Sequence, residues 1–197
     1  LLAFDSAHDQ RVPALLTVPK THRASHPAVI LVHGSGGHKE SSYIVFIGDQ
    51  LVKAGFITLS IDTQYHGDRA KKGVSSEIHM PDSYRMRDAW VQSVIDLRRC
   101  VDYLQSRSDV LADKIGYMGF SQGAMLGSVL GGVEGRIACF CLAVPGGGLL
   151  DIVNNMEKYP VIKAHWPLKK TPEIMKIIEE VVDITDPIYY VGRILPR

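Results

Sequence analysis

The sequence predicts an α/β fold, in which helices cover both faces of a mainly parallel, doubly wound sheet. The first observation is a set of short apolar runs, such as 28–32 and 56–61, of the kind that strands covered on both faces require. The second is that segments with apolar residues at helical spacing separate these runs. The third is that several runs end in polar or glycine-rich residues, and the carboxyl ends of parallel strands are where such sheets bind ligands.

The core of this fold is expected in residues 1–148, where strands and helices alternate. Apart from the first two strands, which are joined by a polar turn, each strand is followed by a helix. The elements expected here are two strands within 1–20, strands at 28–32, 56–61, 114–120 and 137–144, and helices at 41–54, 84–106 and after Ser121.

The pattern changes after residue 148. Residues 149–182 contain two helical segments without a strand between them, and Thr171 and Pro172 are suited to begin the second one. We interpret 149–185 as a helical cap inserted over the site and 186–197 as the return to the core. The alternative is an ordinary pair of packing helices.

Length and composition indicate a single globular domain. The chain has 197 residues, of which 46% are hydrophobic and 22% charged, with a formal net charge of +1. Its basic clusters are short and no apolar run approaches the ~20 residues of a membrane span, so neither a nucleic acid nor a membrane is expected as a partner. No charged-then-apolar leader opens the sequence, which begins with Leu1.

The cysteines predict a protein of a reducing compartment. There are three, an odd number that does not suit a disulfide framework. Cys139 and Cys141 would share one face of a strand, and we expect them to be core residues. The predicted location is cytoplasmic.

The strongest functional signal is the sequence Gly-Phe-Ser-Gln-Gly at 119–123. A strand precedes it and a helix of small residues follows it. Flanking glycines allow a tight strand-to-helix turn that exposes the serine hydroxyl, which makes Ser121 the candidate nucleophile. The amide of Gln122, at the start of the helix, is suited to bind an oxyanion.

Together with the His-Gly-Ser-Gly-Gly sequence at 33–37, this serine motif resembles the motifs of the α/β-hydrolase fold family. The loop at 62–69 is similar to that of dienelactone-hydrolase-like and acyl-peptidase-like esterases. The resemblance assigns the second oxyanion donor to the amide of Ser35, with Gly36 as the alternative. A dinucleotide-binding loop is a weaker interpretation, because Lys39 stands where a third glycine is required.

The resemblance also implies that the chain is truncated before the acid and the histidine of the triad. In this fold both follow the nucleophile, and 186–197 corresponds to the segment before the strand that carries the acid. The C-terminal strands are therefore expected to be missing. Asp151 and His165 could form an improvised pair within the cap, although His165 is better explained as a packing residue. His33 resembles a histidine that braces the loop, and His66 a structural residue.

The resulting prediction is a serine hydrolase that cleaves small-molecule carboxylic esters through an acyl-serine intermediate, with Ser121 as nucleophile and the Ser35 and Gln122 amides as oxyanion hole. Neither a metal nor an organic cofactor is implied. Two alternatives remain: an inactive binding module or incomplete fragment, and a peptidase or amidase with the same residues. A fragment would leave a sheet edge unpaired, so a homo-oligomer or a second chain supplying the missing strands is expected.

Overall fold

Six strands form one mixed sheet in the computed structural model, which describes residues 1–20, 23–70, 83–165 and 170–194 without the side chains of residues 161, 164, 165 and 183. The strand order is β1-β2-β4-β3-β5-β6. β1 pairs with β2 and β2 with β4 in antiparallel fashion, and the other neighbours are parallel. The strands are β1 Leu2–Asp5, β2 Arg11–Thr17, β3 His26–Val32, β4 Ile57–Ile61, β5 Val110–Phe120 and β6 Cys139–Ala143.

Seven α-helices follow or connect these strands in the described part of the chain, and short 3-10 helices lie at Gly67–Arg69 and Met156–Lys158. None of the helices described combines the length and apolar character needed to cross a bilayer. The helices are α1 Ser42–Lys53, α2 Ser83–Gln105, α3 Gln122–Val133, α4 Leu149–Asn154, α5 Pro160–His165, α6 Pro172–Thr185 and α7 Ile188–Val191.

Helices pack on both faces of the sheet, as the sequence predicted. A Cβ at Gly48 of α1 would lie 3.5 Å from the side chain of Leu31 in β3. Ile30 and Val32 belong instead to the main apolar core, together with residues of α2 and α3. Successive side chains of a strand point to opposite faces, so α1 covers one face and α2 and α3 the other.

The start of α6 agrees with the prediction from its capping residues, and the helix continues to Thr185, beyond the expected residue 182. The Thr171 hydroxyl accepts the Ile174 N–H at 3.3 Å, and Pro172 occupies the first turn, where its missing N–H costs nothing. The buried stripe of Ile178, Val181 and Val182 attaches this helix to the body of the protein.

The prediction of a buried strand at 137–144 was wrong in one respect. β6 is shorter and pairs only with β5, so it forms the edge of the described sheet. Cys139 and Cys141 are consequently exposed and are not the core residues that we expected, whereas Cys100 is buried in α2. That another chain or further strands cover this edge stays a prediction.

The two ends of the predicted cap meet at one carboxylate. Asp186 is buried and accepts the N–H groups of Gly148 at 2.9 Å and Leu149 at 2.5 Å. The segment 149–185 thus leaves and rejoins the body at the same place, and it contains α4, a 3-10 turn, α5 and α6 rather than two helical segments. Its role as a cap over the site stays a prediction.

Candidate active site

Ser121 lies at a sharp turn between β5 and α3. Its φ of 48° and ψ of −112° are unfavourable for any residue with a side chain and cost on the order of 1–3 kcal/mol. The Ser121 N–H donates to the carbonyl oxygen of Ala143 in β6 at 2.9 Å, which ties the turn to the neighbouring strand. The serine itself is exposed. A strained turn that exposes the serine is the geometry that the Gly-Phe-Ser-Gln-Gly sequence predicted.

Two glycines permit this turn because no side chain fits at their positions. A Cβ at Gly119 would lie 2.3 Å from the carbonyl oxygen of Gly123. A Cβ at Gly123 would lie 2.5 Å from the carbonyl oxygen of Val32, the last residue of β3. The Tyr117 hydroxyl donates to the Gly123 carbonyl at 2.6 Å from the buried side of the turn. The start of α3 is therefore packed directly against the ends of β5 and β3.

The glycine-rich loop after β3 lies beside the serine. Val32 is paired with Gly119 in parallel register, so both chains leave the sheet at the same edge. A Cβ at Gly34 would lie 3.3 Å from the Ser121 Cβ and 3.3 Å from the Phe120 carbonyl oxygen. The structure thus brings together the serine turn, which carries Ser121 and Gln122, and the glycine-rich loop, which carries Ser35.

Backbone amides near Ser121 differ in whether they are already hydrogen bonded. The Gly34 N–H donates to the Tyr43 hydroxyl at 2.9 Å, and the Gly37 N–H donates to the Gly34 carbonyl at 3.0 Å. Within the described residues, the amides of Ser35 and of the alternative, Gly36, donate to no protein group.

The amide of Gln122 is also available. As the first residue of α3, Gln122 has no carbonyl one turn earlier in the helix that could accept its N–H. The helix N-terminus also carries a partial positive charge, which favours an anion at this position. Amides without a protein acceptor among the described residues therefore lie at the start of α3 and in the loop beside the serine, and their binding of an oxyanion stays a prediction.

Both ring nitrogens of His33 are hydrogen bonded to the two loops, as expected for the bracing role that the resemblance implied. Its Nδ1 contacts the Gly34 carbonyl oxygen at 2.7 Å, and its Nε2 accepts the Thr63 N–H at 3.2 Å. This pattern fixes the neutral tautomer with hydrogen on Nδ1. Burial lowers the pKa of His33 to about 4, so the ring stays uncharged at neutral pH.

Asp62 fixes the second loop of the site. Its carboxylate is fully buried and accepts the Lys39 N–H at 2.7 Å, the Lys39 Nζ at 2.9 Å and the Asp68 N–H at 3.0 Å. Burial alone would lower the pKa of Lys39, but its hydrogen bonds to Asp68 and Asp62 outweigh this effect and raise it. With only 3% of its surface exposed, Lys39 is an internal ion-pair partner. The position at which a dinucleotide-binding loop requires its third glycine is thus taken by a buried, ion-paired lysine.

The remainder of the 62–69 loop is attached to α2. His66 is buried and its Nδ1 contacts the Gln64 carbonyl oxygen at 2.9 Å; burial lowers the pKa of this ring too. Arg69 forms a buried ion pair with Asp96 of α2 at 2.6 Å. Sequence reasoning missed this pair. The sequence does show a carboxylate, Asp96, within the long helix, but the helical pattern does not indicate which distant cation pairs with it.

The general base is not located by the described residues. Asp151 is exposed and accepts the Asn155 side chain at 2.9 Å. The side chain of His165 lies outside the described residues, so the improvised Asp151–His165 pair stays a prediction. Within the described part of the chain, no group of three or more His, Cys, Asp or Glu side chains could hold a metal ion.

Comparisons with known proteins identify a family and relatives for this chain. A sequence profile described as the dienelactone hydrolase family matches residues 12–139. YtaP of Bacillus subtilis, a protein named as a hydrolase, is 30% identical over 173 residues, which cover 82% of this chain and 54% of YtaP.

Solved structures of esterases have the same fold. Acetyl xylan esterase 1 from a Thermoanaerobacterium species has a TM-score of 0.76 at 19% identity, covering 98% of this chain and 63% of that chain. Est1E from Butyrivibrio proteoclasticus with bound ferulic acid has a TM-score of 0.60 at 24% identity, covering 74% of this chain and 53% of that chain. The chain thus spans about half to two thirds of the length of these relatives.

Proposed function

The chain belongs to the dienelactone hydrolase family, and we propose that it is a serine hydrolase that cleaves small-molecule carboxylic esters through an acyl-serine intermediate. The observation that carries the proposal is the strained, exposed Ser121 beside a loop with free backbone amides. The ester-cleaving activity of the structural neighbours supports the substrate class.

In the proposed reaction, the Ser121 oxygen attacks the carbonyl carbon of the ester. The electron pair of the carbonyl bond moves to its oxygen, and the amides of Gln122 and Ser35 bind the resulting oxyanion. The alcohol then leaves with the proton that a general base took from Ser121, and water releases the acyl group by the same steps in reverse. We assign the base and its orienting acid to residues outside the described part of the chain.

The oxyanion amides would contribute a large share of the rate. Removing one such donor in comparable enzymes lowers kcat by about 10²–10³. The strain at Ser121 serves the same end, because the turn that exposes the hydroxyl also places the Gln122 amide at the helix N-terminus.

The segment 149–185 would select the substrate. We propose that its helices cover the site as a cap, since the segment leaves and rejoins the body at Asp186 close to the end of β6, the strand that supports Ser121. Substrate preference would then depend on residues of this segment more than on the sheet.

Kinetic assays with matched esters and amides test the proposal. The protein as its gene encodes it would be given p-nitrophenyl esters of increasing acyl length and the corresponding anilides. We expect ester hydrolysis that is lost in Ser121→Ala and retained in Ser128→Ala, a control serine that is buried in α3 and bonded to Ala124 at 3.1 Å. Faster cleavage of the anilides than of the corresponding esters would show that the protein is an amidase and not an esterase. Ester hydrolysis that survives in Ser121→Ala would overturn the proposal.

A further inference from the structure

We infer that Tyr43 is a positioning residue, whose phenolic hydroxyl sets the conformation of the oxyanion loop relative to Ser121. The inference rests on the proposed function, because it concerns how that site binds the oxyanion. Neither the glycine-rich motif nor the serine motif includes this residue, which lies in the first turn of α1.

The hydroxyl of Tyr43 lies inside the turn formed by residues 34–37. It accepts the Gly34 N–H at 2.9 Å. A Cβ at Gly37 would lie 3.1 Å from the same oxygen, so the turn closes around the hydroxyl. The oxygen therefore fixes the orientation of the Gly34 peptide and limits how the following residues can rotate.

The ring of Tyr43 is held by the residue that precedes the nucleophile. It meets the Phe120 ring edge to face, with centroids 5.3 Å apart. The point that a Gly34 Cβ would occupy is 3.3 Å from the Ser121 Cβ and 3.8 Å from the Tyr43 oxygen. One side chain thus contacts both halves of the site, the serine turn through its ring and the oxyanion loop through its hydroxyl.

The bond to Tyr43 gives the loop amides different roles. Because the Gly34 N–H is occupied by Tyr43, it is not available to the substrate, and the free amides that follow are those of Ser35 and Gly36. Without the hydroxyl, the Gly34 amide loses its acceptor and the loop can turn a following amide away from the oxyanion. The negative charge on the substrate's carbonyl oxygen develops only in the transition state, so loss of the Tyr43 hydroxyl should lower kcat and leave KM nearly unchanged.

Tyr43→Phe isolates the hydroxyl, because phenylalanine keeps the ring that packs on Phe120. Tyr103→Phe is the matched control: it also removes a hydroxyl that accepts a hydrogen bond, from Arg107 at 3.1 Å, and it lies near the C-terminal end of α2, away from Ser121. Both variants would be prepared in the protein as its gene encodes it, and thermal unfolding would establish that each is folded.

For Tyr43→Phe we expect kcat for a p-nitrophenyl ester to fall about 10- to 100-fold, part of the effect of a lost oxyanion donor. KM should change less than twofold, and a boronic acid that forms a tetrahedral adduct with serine should bind more weakly by a factor similar to the loss in kcat. Tyr103→Phe should match the wild type in all three. Equal losses in both variants, or a raised KM with unchanged kcat, would overturn the inference.

Hydrogen exchange separates this inference from the proposed function. The Gly34 amide should exchange faster in Tyr43→Phe than in the wild type, whether or not the protein hydrolyses esters. Unchanged exchange would overturn the positioning role even in an active enzyme. Faster exchange in a protein without Ser121-dependent hydrolysis would support the positioning of the loop by Tyr43, and the missing hydrolysis would overturn the proposed function.

Discussion

Replacement of Gly119 by alanine is the most direct perturbation of the turn that carries Ser121. A Cβ there would lie 2.3 Å from the carbonyl oxygen of Gly123 and 2.8 Å from the backbone nitrogen of Ala124. Both neighbours are backbone atoms at the start of a helix, so neither can rotate away as a flexible side chain would. The start of α3 must therefore shift, on the order of 1 Å, to restore normal contact distances.

This shift has a cost in stability and a cost in activity. Overpacking of this kind destabilises proteins by about 1–3 kcal/mol, and the rigid neighbours favour the upper end of that range. In a protein of this size, about 3 kcal/mol corresponds to a melting temperature lower by roughly 6–12 °C. A displacement of about 1 Å between nucleophile and oxyanion donors can lower the rate about 10²-fold, so activity should fall further than the folded fraction.

Thermal unfolding and ester hydrolysis of Gly119→Ala would be measured beside Gly192→Ala. No atom of the described residues lies within 4 Å of the Gly192 Cβ position, and the φ of Gly192 is an ordinary −69°, so this control should resemble the wild type. A Gly119→Ala protein that keeps the stability and activity of the wild type would refute the steric account of the turn.

Three further predictions concern stability. Arg69→Met leaves the buried Asp96 carboxylate without its cation, and we expect urea titration to show that the free energy of unfolding falls by about 3–5 kcal/mol. If the double variant Arg69→Met with Asp96→Asn is no more stable than Arg69→Met alone, the unpaired carboxylate is not the cause. Val144 has a φ of 56° and is 82% exposed, so Val144→Gly should relieve backbone strain and raise the free energy of unfolding by about 1 kcal/mol; a clear decrease in the same urea titration would contradict this. The folded-state pKa of His33, about 4, lies below its ordinary value of 6.5, so the unfolded chain binds more protons than the folded one between these pH values. The free energy of unfolding should therefore fall by about 3 kcal/mol as the pH drops from 6.5 to 4. Denaturant titrations at each pH should show that His33→Asn weakens this pH dependence.

Local sequence patterns were sufficient to predict most of the fold. The apolar runs at 28–32 and 56–61 became β3 and β4 because their composition alone implies burial on both faces. Thr171 and Pro172 marked the start of α6 because capping depends on residues within one turn. The serine turn could be predicted for the same reason, since its glycines and its serine are consecutive.

Features that depend on distant neighbours could not be predicted in this way. The exposure of Cys139 and Cys141 follows from the position of β6 in the sheet, which a strand's own composition does not specify. β5 begins at Val110, earlier than expected, because its first residue pairs with His26 rather than because of its own pattern.

The candidate site shows the same division. Ser121, Ser35 and Gln122 were chosen from motifs, and the structure brings the segments that carry them together. The bond between Tyr43 and Gly34 and the ion pair between Lys39 and Asp62 join residues that no motif connects. Such contacts follow from the packing of the whole domain.

Labelling with a fluorophosphonate probe, followed by peptide mass mapping, tests the central claim most directly, because the probe reacts with a serine only where it is activated as a nucleophile. The experiment would use the protein as its gene encodes it, with Ser121→Ala and Ser128→Ala as paired variants. We predict one modified residue, Ser121, with labelling abolished in the first variant and retained in the second. A folded protein that is not labelled, or that is labelled at another serine, would contradict the assignment of Ser121 as the nucleophile.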